Sequence, residues 1–433
     1  MHKSSKENVK RGFASRSLVL RLFGQVLDGK RLDAALAEID DLAEDTPFAR
    51  LLLMQCLRLY HGAEPLALRF IERKPSRLDR LILIMGVVQL VFLELAPHAV
   101  VSETVALAPK KSRGFINAIL RKIAHYWQNE EDQESVRNNA IAQNAPSWLI
   151  NRMEKDWGAN EALGILKTQA SIPPLDLAFI SPEACDKFLE SQPFPAHKLP
   201  HGAVRLKTMP IADIAGFAEG QCWVQDAAAQ LPVWLMRDQL KGKKVLDMCA
   251  APGGKTAQIL ARGAEVVALD RDIKRMQRFN ENMQRLGFAP RTVVADGENW
   301  EEERDFDVVF LDAPCSASGT IRRHPDMLFR DHDPRLHEAQ QALFQQAIRL
   351  LKPDGVLVYS VCSIRPSEGS GLMARLAENL QPYDFSQADR ESLVEVIRMD
   401  RLPDRPKHQI QTLPSDAEGL GGMDGFFIAA YQV

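Results

Sequence analysis

The second half of the chain alternates apolar strands with helices, and this alternation restricts the possible folds more than any other feature of the sequence. After Gln225 we predict strands at KVLDM, EVVALD, RTVVAD, FDVVFLD, GVLVYS and, last, GFFIAAYQV. Helical segments such as TAQILA and LHEAQQALFQQAIRLLK separate most of them. Such alternation predicts a parallel sheet that is covered by helices on both faces. A sheet of this kind binds its ligands beyond the carboxyl ends of its strands.

The part of the chain before this alternation has a different pattern. From about residue 15 to residue 123, apolar residues such as Leu18, Leu22 and Val26 recur at helical spacing, which predicts an all-α region. The stretch from about residue 144 to residue 221 mixes short helices with strands, and its prolines keep both short. A chain of 433 residues is long enough for about three domains. We predict an all-α domain over residues 1–141, a small α/β middle domain over 142–223 and an α/β catalytic domain over 224–433.

Composition excludes several classes of protein. The net charge is −3, so the whole chain lacks the basic signature of a sequence-indifferent nucleic-acid binder. Six cysteines at irregular spacing do not form a disulfide framework, and the N-terminus lacks a signal peptide's apolar core. The longest apolar run, LILIMGVVQLVFLELA, contains Gln89 and Glu94 and is shorter than the roughly 20 residues that span a bilayer. We expect a cytoplasmic protein in which this run is a buried helix.

The segment VLDMCAAPGGKT runs from a predicted strand through a glycine turn into a helix. It is not a P-loop, because Cys249 stands where that motif needs a glycine, and the dinucleotide pattern G-x-G-x-x-G is also absent. Asp270 ends the next strand, about 20 residues further along the sequence, which is the spacing at which a carboxylate binds a ribose hydroxyl in nucleotide-binding folds. Asp296 ends a third strand. S-adenosylmethionine suits this arrangement, because carboxylates offset its cationic ammonium and sulfonium. Alternatively, the glycines only turn the chain and Asp247 only caps the helix.

Two cysteines end strands at the same predicted edge, Cys315 in DAPCSASG and Cys362 in SVCS. Carbon 5 of a pyrimidine does not attack a methylsulfonium unless a thiolate first adds to carbon 6 and converts the ring to an enamine. The scheme also needs an acid near ring nitrogen 3 and a base for the carbon 5 proton. An Asp and two thiols supply these groups, but this chemistry alone leaves open which thiol attacks. We interpret the remaining cysteines as buried or ambiguous: Cys56, Cys185 and Cys222 as small hydrophobes, and Cys249 as part of the cofactor loop.

Several of these segments resemble a known family, the RNA cytosine-5 methyltransferases of the Nol1/Nop2/Sun group. LDMCAAPGGKT, LDAPCSASG followed by IRRHPD, and the C-terminal DGFFIA are similar to its signature blocks, closest to those of the bacterial enzymes for small-subunit (16S) ribosomal RNA. MGVVQLVFLELAPHAVVSETVALA and GFINAILRKI resemble a NusB-type RNA-binding domain. The resemblance implies an α/β fold in which a Rossmann-like methyltransferase domain follows an all-α NusB-like domain and a small α/β middle domain.

The resemblance also assigns roles to individual residues. It implies that Cys362 is the nucleophile, that Cys315 assists proton removal and enzyme release, and that Asp312 holds the target cytosine. We predict no metal site. The residues expected to line the S-adenosylmethionine site are Cys249, Ala250, Ala251, Pro252, Gly253, Gly254, Lys255, Asp270, Asp296 and Asp312.

The chain departs from the family's pattern at a few positions. Val361 precedes the second thiol where the family usually has Thr, and Gly369 follows Glu368 where it usually has Asn. LDLAFI lacks the arginine of an expected Arg-x-Asn element, and Ala228 stands where a serine is common. Two alternatives to a 16S ribosomal RNA enzyme therefore stay open. One is the same chemistry on transfer RNA, and the other is a catalytically silent RNA-binding ribosome assembly factor.

RNA is the expected partner, and neither a membrane nor an obligate protein partner is indicated. Attack on carbon 6 needs an unstacked cytosine, so the substrate is expected to be single-stranded, a loop or incompletely assembled ribosomal RNA. Arg322 and Arg323 of the IRRHPD loop are predicted to contact phosphates. Alternatively, they are two solvated or salt-bridged surface arginines.

Overall fold

The computed structural model describes residues 2–41, 45–330, 334–398 and 406–433. The chain forms two compact units. The first contains Met1–Ser171 together with the later segment Ile321–Asp331, and the second contains Ile172–Thr320 and His332–Val433. The predicted boundary between residues 141 and 142 falls inside the first unit, and the three-part division of the chain stays a prediction.

The first unit is built from α-helices, as the helical spacing of its apolar residues predicts. Leu22 and Val26 of the first helix are buried, as are Ile119 and Ile123 of a later one. The helices are α1 (His2–Leu27), α2 (Leu32–Asp40), α3 (Thr46–Arg58), α4 (Tyr60–Leu68), α5 (Arg77–Val87), α6 (Pro97–Ala106), α7 (Arg113–Asn129), α8 (Gln133–Ala142), α9 (Ser147–Trp157) and α10 (Ala159–Ala170).

The long apolar run is a buried helix, as expected, and it contains one buried polar side chain. Helix α5 continues into a π-helical turn over Val88–Phe92. Gln89 in this turn is fully buried. Its side-chain oxygen accepts a hydrogen bond from Arg16 Nε (2.7 Å), and its amide nitrogen donates to Thr104 Oγ1 (3.2 Å). These bonds satisfy the amide inside the core. Within the described ranges, no helix is both long enough and apolar enough to cross a membrane.

The segment Ile321–Asp331 packs within the helical unit, although it lies in the second half of the sequence. Arg58, at the end of α3, donates a hydrogen bond from Nε to the carbonyl oxygen of Arg322 (3.0 Å). The ring of Phe329 stacks on His61, with centroids 5.5 Å apart. Buried apolar contact and buried hydrogen bonds therefore hold this segment.

The second unit begins with a small antiparallel sheet. Its elements are β1 (Leu175–Phe179), α11 (Pro182–Ser191), β2 (Ala196–Lys198), β3 (Val204–Leu206) and β4 (Cys222–Val224). The strand order is β2-β3-β1-β4. Asp176 of β1 and Arg205 of β3 are opposite each other and form a buried two-pronged ion pair (2.7 and 2.8 Å). Arg205 also donates to the carbonyl oxygen of Gly422 (2.7 Å).

The large sheet contains the strands predicted from the sequence, with helices between them. Its elements are α12 (Ala227–Leu235), β5 (Lys244–Met248), α13 (Gly254–Ala261), β6 (Glu265–Asp270), α14 (Ile273–Arg285), β7 (Arg291–Val294), β8 (Phe306–Asp312), α15 (Leu336–Leu350), β9 (Leu351–Val361), α16 (Ser370–Leu376), β10 (Gln381–Pro382), α17 (Gln387–Ser392), β11 (Gln409–Gln411) and β12 (Phe427–Gln432).

The strand order of the large sheet is β10-β12-β9-β8-β5-β6-β7, and β11 also pairs with β12. Strands β7, β6, β5, β8 and β9 run parallel, whereas β12 is antiparallel to β9. The predicted Rossmann-like fold is thereby confirmed. All five parallel strands end at one edge, and the loops that follow β5, β6, β7, β8 and β9 meet there.

Candidate active site

A cleft of about 230 Å³ opens at the carboxyl edge of the parallel strands. Its lining comes from the segments at the ends of β5, β6, β7, β8 and β9 and from helices α14 and α15. The structure brings together in this cleft six of the residues singled out from the sequence: Cys249, Asp270, Asp296, Asp312, Cys315 and Cys362.

The two strand-end thiols are in contact. Cys315 Sγ and Cys362 Sγ lie 3.4 Å apart, and both side chains are partly buried. The pKa of Cys315 is raised well above its ordinary range, first by the hydrogen bond with Cys362, then by burial and then by the nearby charges of Cys362 and Glu368. Cys315 is therefore a protonated thiol at neutral pH, and it faces the cleft beside a second sulfur.

Asp312 ends β8 and presents its carboxylate to the same cleft. Lys255 Nζ donates to Asp312 Oδ2 at 2.7 Å, and Ser360 Oγ donates to Asp312 Oδ1 at 3.1 Å. Ser360 is the register partner of Asp312 on β9, so strand pairing itself brings the hydroxyl to the carboxylate. These two bonds fix the orientation of the carboxylate.

The glycine loop after β5 makes a tight turn into α13. Cys249 has φ +62° and Gly253 has φ +106°, so both occupy the left-handed region. A Cβ at Gly253 would lie 2.8 Å from the Met283 side chain, so only glycine fits there without rearrangement. Burial, helped by the charges of Asp270 and Asp312, raises the pKa of Cys249 to about 12, so its sulfur stays a thiol.

Several predicted loop residues support the cleft without lining it. Ala250, Ala251, Pro252, Gly253, Gly254 and Lys255 lie outside the cleft lining. The backbone N–H of Ala251 donates to Asp270 Oδ2 at 3.2 Å, and Lys255 reaches the cleft through Asp312. Their assignment to the cofactor site stays a prediction.

Asp270, at the end of β6, is buried. Besides Ala251, the backbone N–H of Asp272 donates to its carboxylate at 3.0 Å, and Arg275 Nη1 lies 3.4 Å from it. Arg275 also donates to the carbonyl oxygen of Ala251. We did not predict Arg275 from the sequence. Its place in the first turn of the helix after Asp270 could have indicated that it lies close to that carboxylate.

Other lining residues were also missed. Glu298 adds a fourth carboxylate near Asp296, and Leu343 of α15 adds an apolar wall. A Cβ at Gly297 would lie 3.0 Å from a Leu343 methyl carbon, so the backbone approaches that wall closely. Leu343 belongs to an ordinary apolar helix stripe, and no local pattern marks it as a cleft residue.

Asp247, the acidic residue at the entrance of the glycine loop, is buried beneath the cleft. Its Oδ2 accepts a hydrogen bond from Thr256, while Oδ1 has no hydrogen-bond partner among the described residues. Burial raises its pKa to about 7. Asp247 is not part of the cleft lining, so the four carboxylates that do line the cleft, those of Asp270, Asp296, Glu298 and Asp312, are what suits a cationic ligand better than an anionic one.

The departures Val361 and Gly369 have structural explanations. Val361 is fully buried in the core of the sheet and is not part of the cleft lining. A Cβ at Gly369 would lie 2.8 Å from the ring of Phe427, so a side chain does not fit there while that ring keeps its place. Neither departure changes a side chain that faces the cleft.

The prediction that Arg322 contacts phosphates does not fit this structure. Its side chain is fully buried, and a buried guanidinium does not reach an RNA backbone. Both interpretations drawn from the sequence, contact with phosphates and a solvated or salt-bridged surface position, treated this arginine as accessible, but Arg58 binds the backbone of Arg322 within the helical unit. Arg323 is only partly buried, and its contact with phosphate stays a prediction.

Two family models match the chain. One, described as 16S rRNA methyltransferase RsmB/F, covers residues 234–432, and the NusB family model covers residues 14–125. The chain is 34% identical to ribosomal RNA small subunit methyltransferase B of Cronobacter sakazakii, over 97% of this chain and 99% of that protein. It is 35% identical to the protein of that name from Serratia proteamaculans, with the same coverage of 97% and 99%.

Two crystal structures have a similar fold. The protein PH0851 aligns with a TM-score of 0.72 at 21% identity, over 98% of each chain. NSun6 from Pyrococcus horikoshii, solved with SFG, aligns with a TM-score of 0.55 at 18% identity, over 66% of this chain and 98% of that one. At these identities the likeness shows the fold alone.

Proposed function

Because the chain belongs to the ribosomal RNA small subunit methyltransferase B family, we propose that it transfers a methyl group from S-adenosylmethionine to carbon 5 of a cytosine in 16S ribosomal RNA. Membership of the family accounts for methyl transfer to this RNA. The position on the base and a covalent route through Cys362 are our proposal. The contact between the thiols of Cys315 and Cys362 beside Asp312 is the observation that supports it most directly.

The cleft suits S-adenosylmethionine, which supplies an electrophilic methyl group when it is bound. Asp270 and Asp296 stand at successive strand ends, where they would bind the ribose and the adenine. Together with Asp312, these carboxylates complement the positive charge of the ligand.

Cys362 attacks carbon 6 of the cytosine, and the addition makes carbon 5 nucleophilic. Asp312 accepts a hydrogen bond from the exocyclic amine of the ring and, as the protonated acid, gives ring nitrogen 3 the proton that balances addition of the thiolate to carbon 6. Its hydrogen bonds with Lys255 and Ser360 keep it oriented for that contact.

Once carbon 5 has received the methyl group, the Cys362 sulfur is bonded to carbon 6 and no longer raises the pKa of Cys315 through its hydrogen bond and charge. Cys315 then loses its own proton and takes up the carbon 5 proton, and the bond between the Cys362 sulfur and carbon 6 breaks. The assignment of the nucleophilic role to Cys362 rests on the resemblance to the cytosine-5 enzymes, because both sulfurs line the cleft and their contact does not distinguish the attacking one.

The reading as a silent assembly factor drew its support from Val361 and from the missing Arg-x-Asn element. Val361 packs in the core, so this departure leaves the cleft intact. In LDLAFI, Asp176 is engaged in a buried ion pair with Arg205, and this segment stabilises the small sheet. Neither feature argues for loss of catalysis.

The test is transfer of labelled methyl from S-adenosylmethionine to total RNA from cells that lack this protein, followed by separation of 16S ribosomal RNA from transfer RNA and digestion of each to nucleosides. We expect label in 5-methylcytidine, none with Cys362→Ala, and near wild-type transfer with Cys185→Ala, whose thiol is buried in the small sheet. Label in another nucleoside would refute carbon 5 chemistry. Label that persists with Cys362→Ala would refute the covalent route through that residue, and label only in transfer RNA would refute the substrate.

A further inference from the structure

A buried carboxylate connects the two loops that carry the thiols. Glu368 is 1% exposed. Its Oε1 accepts a hydrogen bond from the backbone N–H of Ser316 (3.1 Å), and its Oε2 accepts one from Ser316 Oγ (2.7 Å). Oε2 also accepts a hydrogen bond from Ser363 Oγ. One carboxylate therefore binds two segments that are 47 residues apart in sequence.

Each of these serines directly follows a thiol. Ser316 follows Cys315, and Ser363 follows Cys362. Since each serine is one residue from its cysteine, a displacement of either serine moves the adjacent sulfur. Strands β8 and β9 set the spacing of the two loops only as far as the strands extend, and Glu368 lies beyond their ends.

Further hydrogen bonds hold the same junction. Ser318 Oγ lies 3.1 Å from Ser363 Oγ and accepts from the backbone N–H of Ile364 at 3.2 Å. The hydroxyl of Tyr359 donates to the backbone oxygen of Glu368 at 2.8 Å, which fixes the base of the carboxylate side chain. All of these atoms are buried, so the network competes little with water and holds a single geometry.

We propose that Glu368 is a positioning residue for the thiol pair: its carboxylate spans the loops after Cys315 and Cys362 and sets the distance between their sulfur atoms. The catalytic consequence rests on the function proposed above, because it assumes that one thiol attacks and the other assists release. Glu368 itself touches neither sulfur. Its charge contributes to the raised pKa of Cys315. It positions the two sulfurs through Ser316 and Ser363.

The geometry makes the length of the side chain decisive. The variant Glu368→Gln keeps that length. Its amide oxygen can accept from the backbone N–H of Ser316, and its amide NH2 can donate to the hydroxyls of Ser316 and Ser363, because a hydroxyl is an acceptor as well as a donor. Asp keeps the charge but is one methylene shorter, so it cannot span both loops. Ala removes the connection.

The experiment compares Glu368→Gln, Glu368→Asp and Glu368→Ala in the full chain with two readouts. The first is the rate at which Cys315 and Cys362 form a disulfide with diamide, which accepts the two electrons and two protons that the thiols lose. Peptide mass spectrometry after alkylation identifies the pair. The second readout is kcat and KM for methyl transfer to 16S ribosomal RNA.

We expect the variants Glu368→Asp and Glu368→Ala to form the Cys315–Cys362 disulfide about tenfold more slowly than the wild type, because the reaction depends steeply on the geometry of the two thiols. We expect them to lower kcat about 100-fold, the effect of a misplacement of roughly 1 Å, with KM for both substrates nearly unchanged. Gln should stay within about threefold of wild type in both readouts. Loss of a residue that only stabilised the fold would instead lower the melting temperature and leave the disulfide rate and kcat per folded molecule unchanged.

Two results would overturn the proposal. One is a wild-type rate of disulfide formation in both Glu368→Ala and Glu368→Asp. The other is a fall in disulfide rate and kcat in Glu368→Gln that is as large as the fall in Glu368→Ala. If the Ala variant does not fold, Ser363→Ala replaces it, because it removes a single connecting hydroxyl, and it should also slow the disulfide. If the wild-type protein transfers no methyl group, the proposed function fails, and the disulfide rates still decide whether Glu368 positions the thiols.

Discussion

Cys315 Sγ lies 3.4 Å from Cys362 Sγ, although 47 residues separate them in the sequence. The pairing of β8 with β9 produces this contact, because the parallel register places Asp312 opposite Ser360 and the chains leave the sheet side by side. A single thiol is sufficient for attack on carbon 6. In the proposed mechanism the second sulfur has a separate task, and the two tasks are separable by mutation.

Cys315→Ala is expected to accumulate a covalent protein–RNA adduct. Cys362 still adds to the base in this variant, but the group that assists loss of the carbon 5 proton is gone, so release is slow. Denaturing gel electrophoresis with labelled RNA should show a shifted band that depends on S-adenosylmethionine. The double variant Cys315→Ala with Cys362→Ala is the control and should show no such band. A band that persisted in it would mean that another residue attacks.

Asp312→Asn is expected to lower kcat by a factor of about 10² to 10⁴, the usual range for loss of an acid–base or orienting group. The amide no longer pairs with Lys255, which is 9% exposed and is left without its charged partner. Asp305→Asn is the matched control, because Asp305 precedes the same strand and forms an exposed pair with Lys244. Single-turnover methyl transfer measures both variants. Equal rates in the two would show that Asp312 has no role in the reaction.

The sequence predicts the parallel strands well, and it predicts less well which residues of the neighbouring helices and loops reach the cleft. KVLDM, EVVALD and FDVVFLD coincide with β5, β6 and β8, because strands buried on both faces are continuous apolar runs with abrupt ends. The strand ends in turn locate the acids and thiols. All of this is local information.

The residues that were missed depend on packing at a distance. Arg275 and Leu343 reach the cleft from helices, and a helix face is oriented only when the sheet beneath it exists. Arg322 was misjudged for the same reason, since nothing near it in sequence shows that Arg58 anchors its backbone. The Glu368 network likewise unites loops that follow different strands.

Asp247→Asn is expected to change how stability depends on pH. The pKa of Asp247 in the folded protein is about 7, above the ordinary value near 4. Between these values the folded state keeps a proton that the unfolded chain releases, so this group's contribution to the free energy of unfolding falls as pH rises from about 4 to about 7. Asn carries no such proton. Relative to wild type, the variant should therefore gain up to about 4 kcal/mol over this window.

Calorimetric melting of both proteins at pH steps between 4 and 8, without S-adenosylmethionine, gives the difference in their free energies of unfolding at each pH. The other titrating groups are common to both proteins and cancel in it. If the free energies of unfolding of the two proteins ran parallel with pH, Asp247 would be ionised in the folded protein from about pH 4 to pH 8. A difference of opposite sign would mean that the folded state favours the carboxylate.

Arg205→Met is expected to lower the free energy of unfolding of the second unit by about 3–5 kcal/mol, because it leaves a buried charge without its partner. Asp176 is fully buried, and Arg205 is 4% exposed. Arg205 also donates to Gly422, so the substitution strands a carbonyl oxygen as well. Lys198→Met is the matched control in the same sheet, since it removes an exposed pair with Asp186 and should cost less than about 1 kcal/mol. Denaturant unfolding followed by hydrogen exchange of the β1 amides measures both. Equal losses in the two variants would show that burial does not distinguish these pairs.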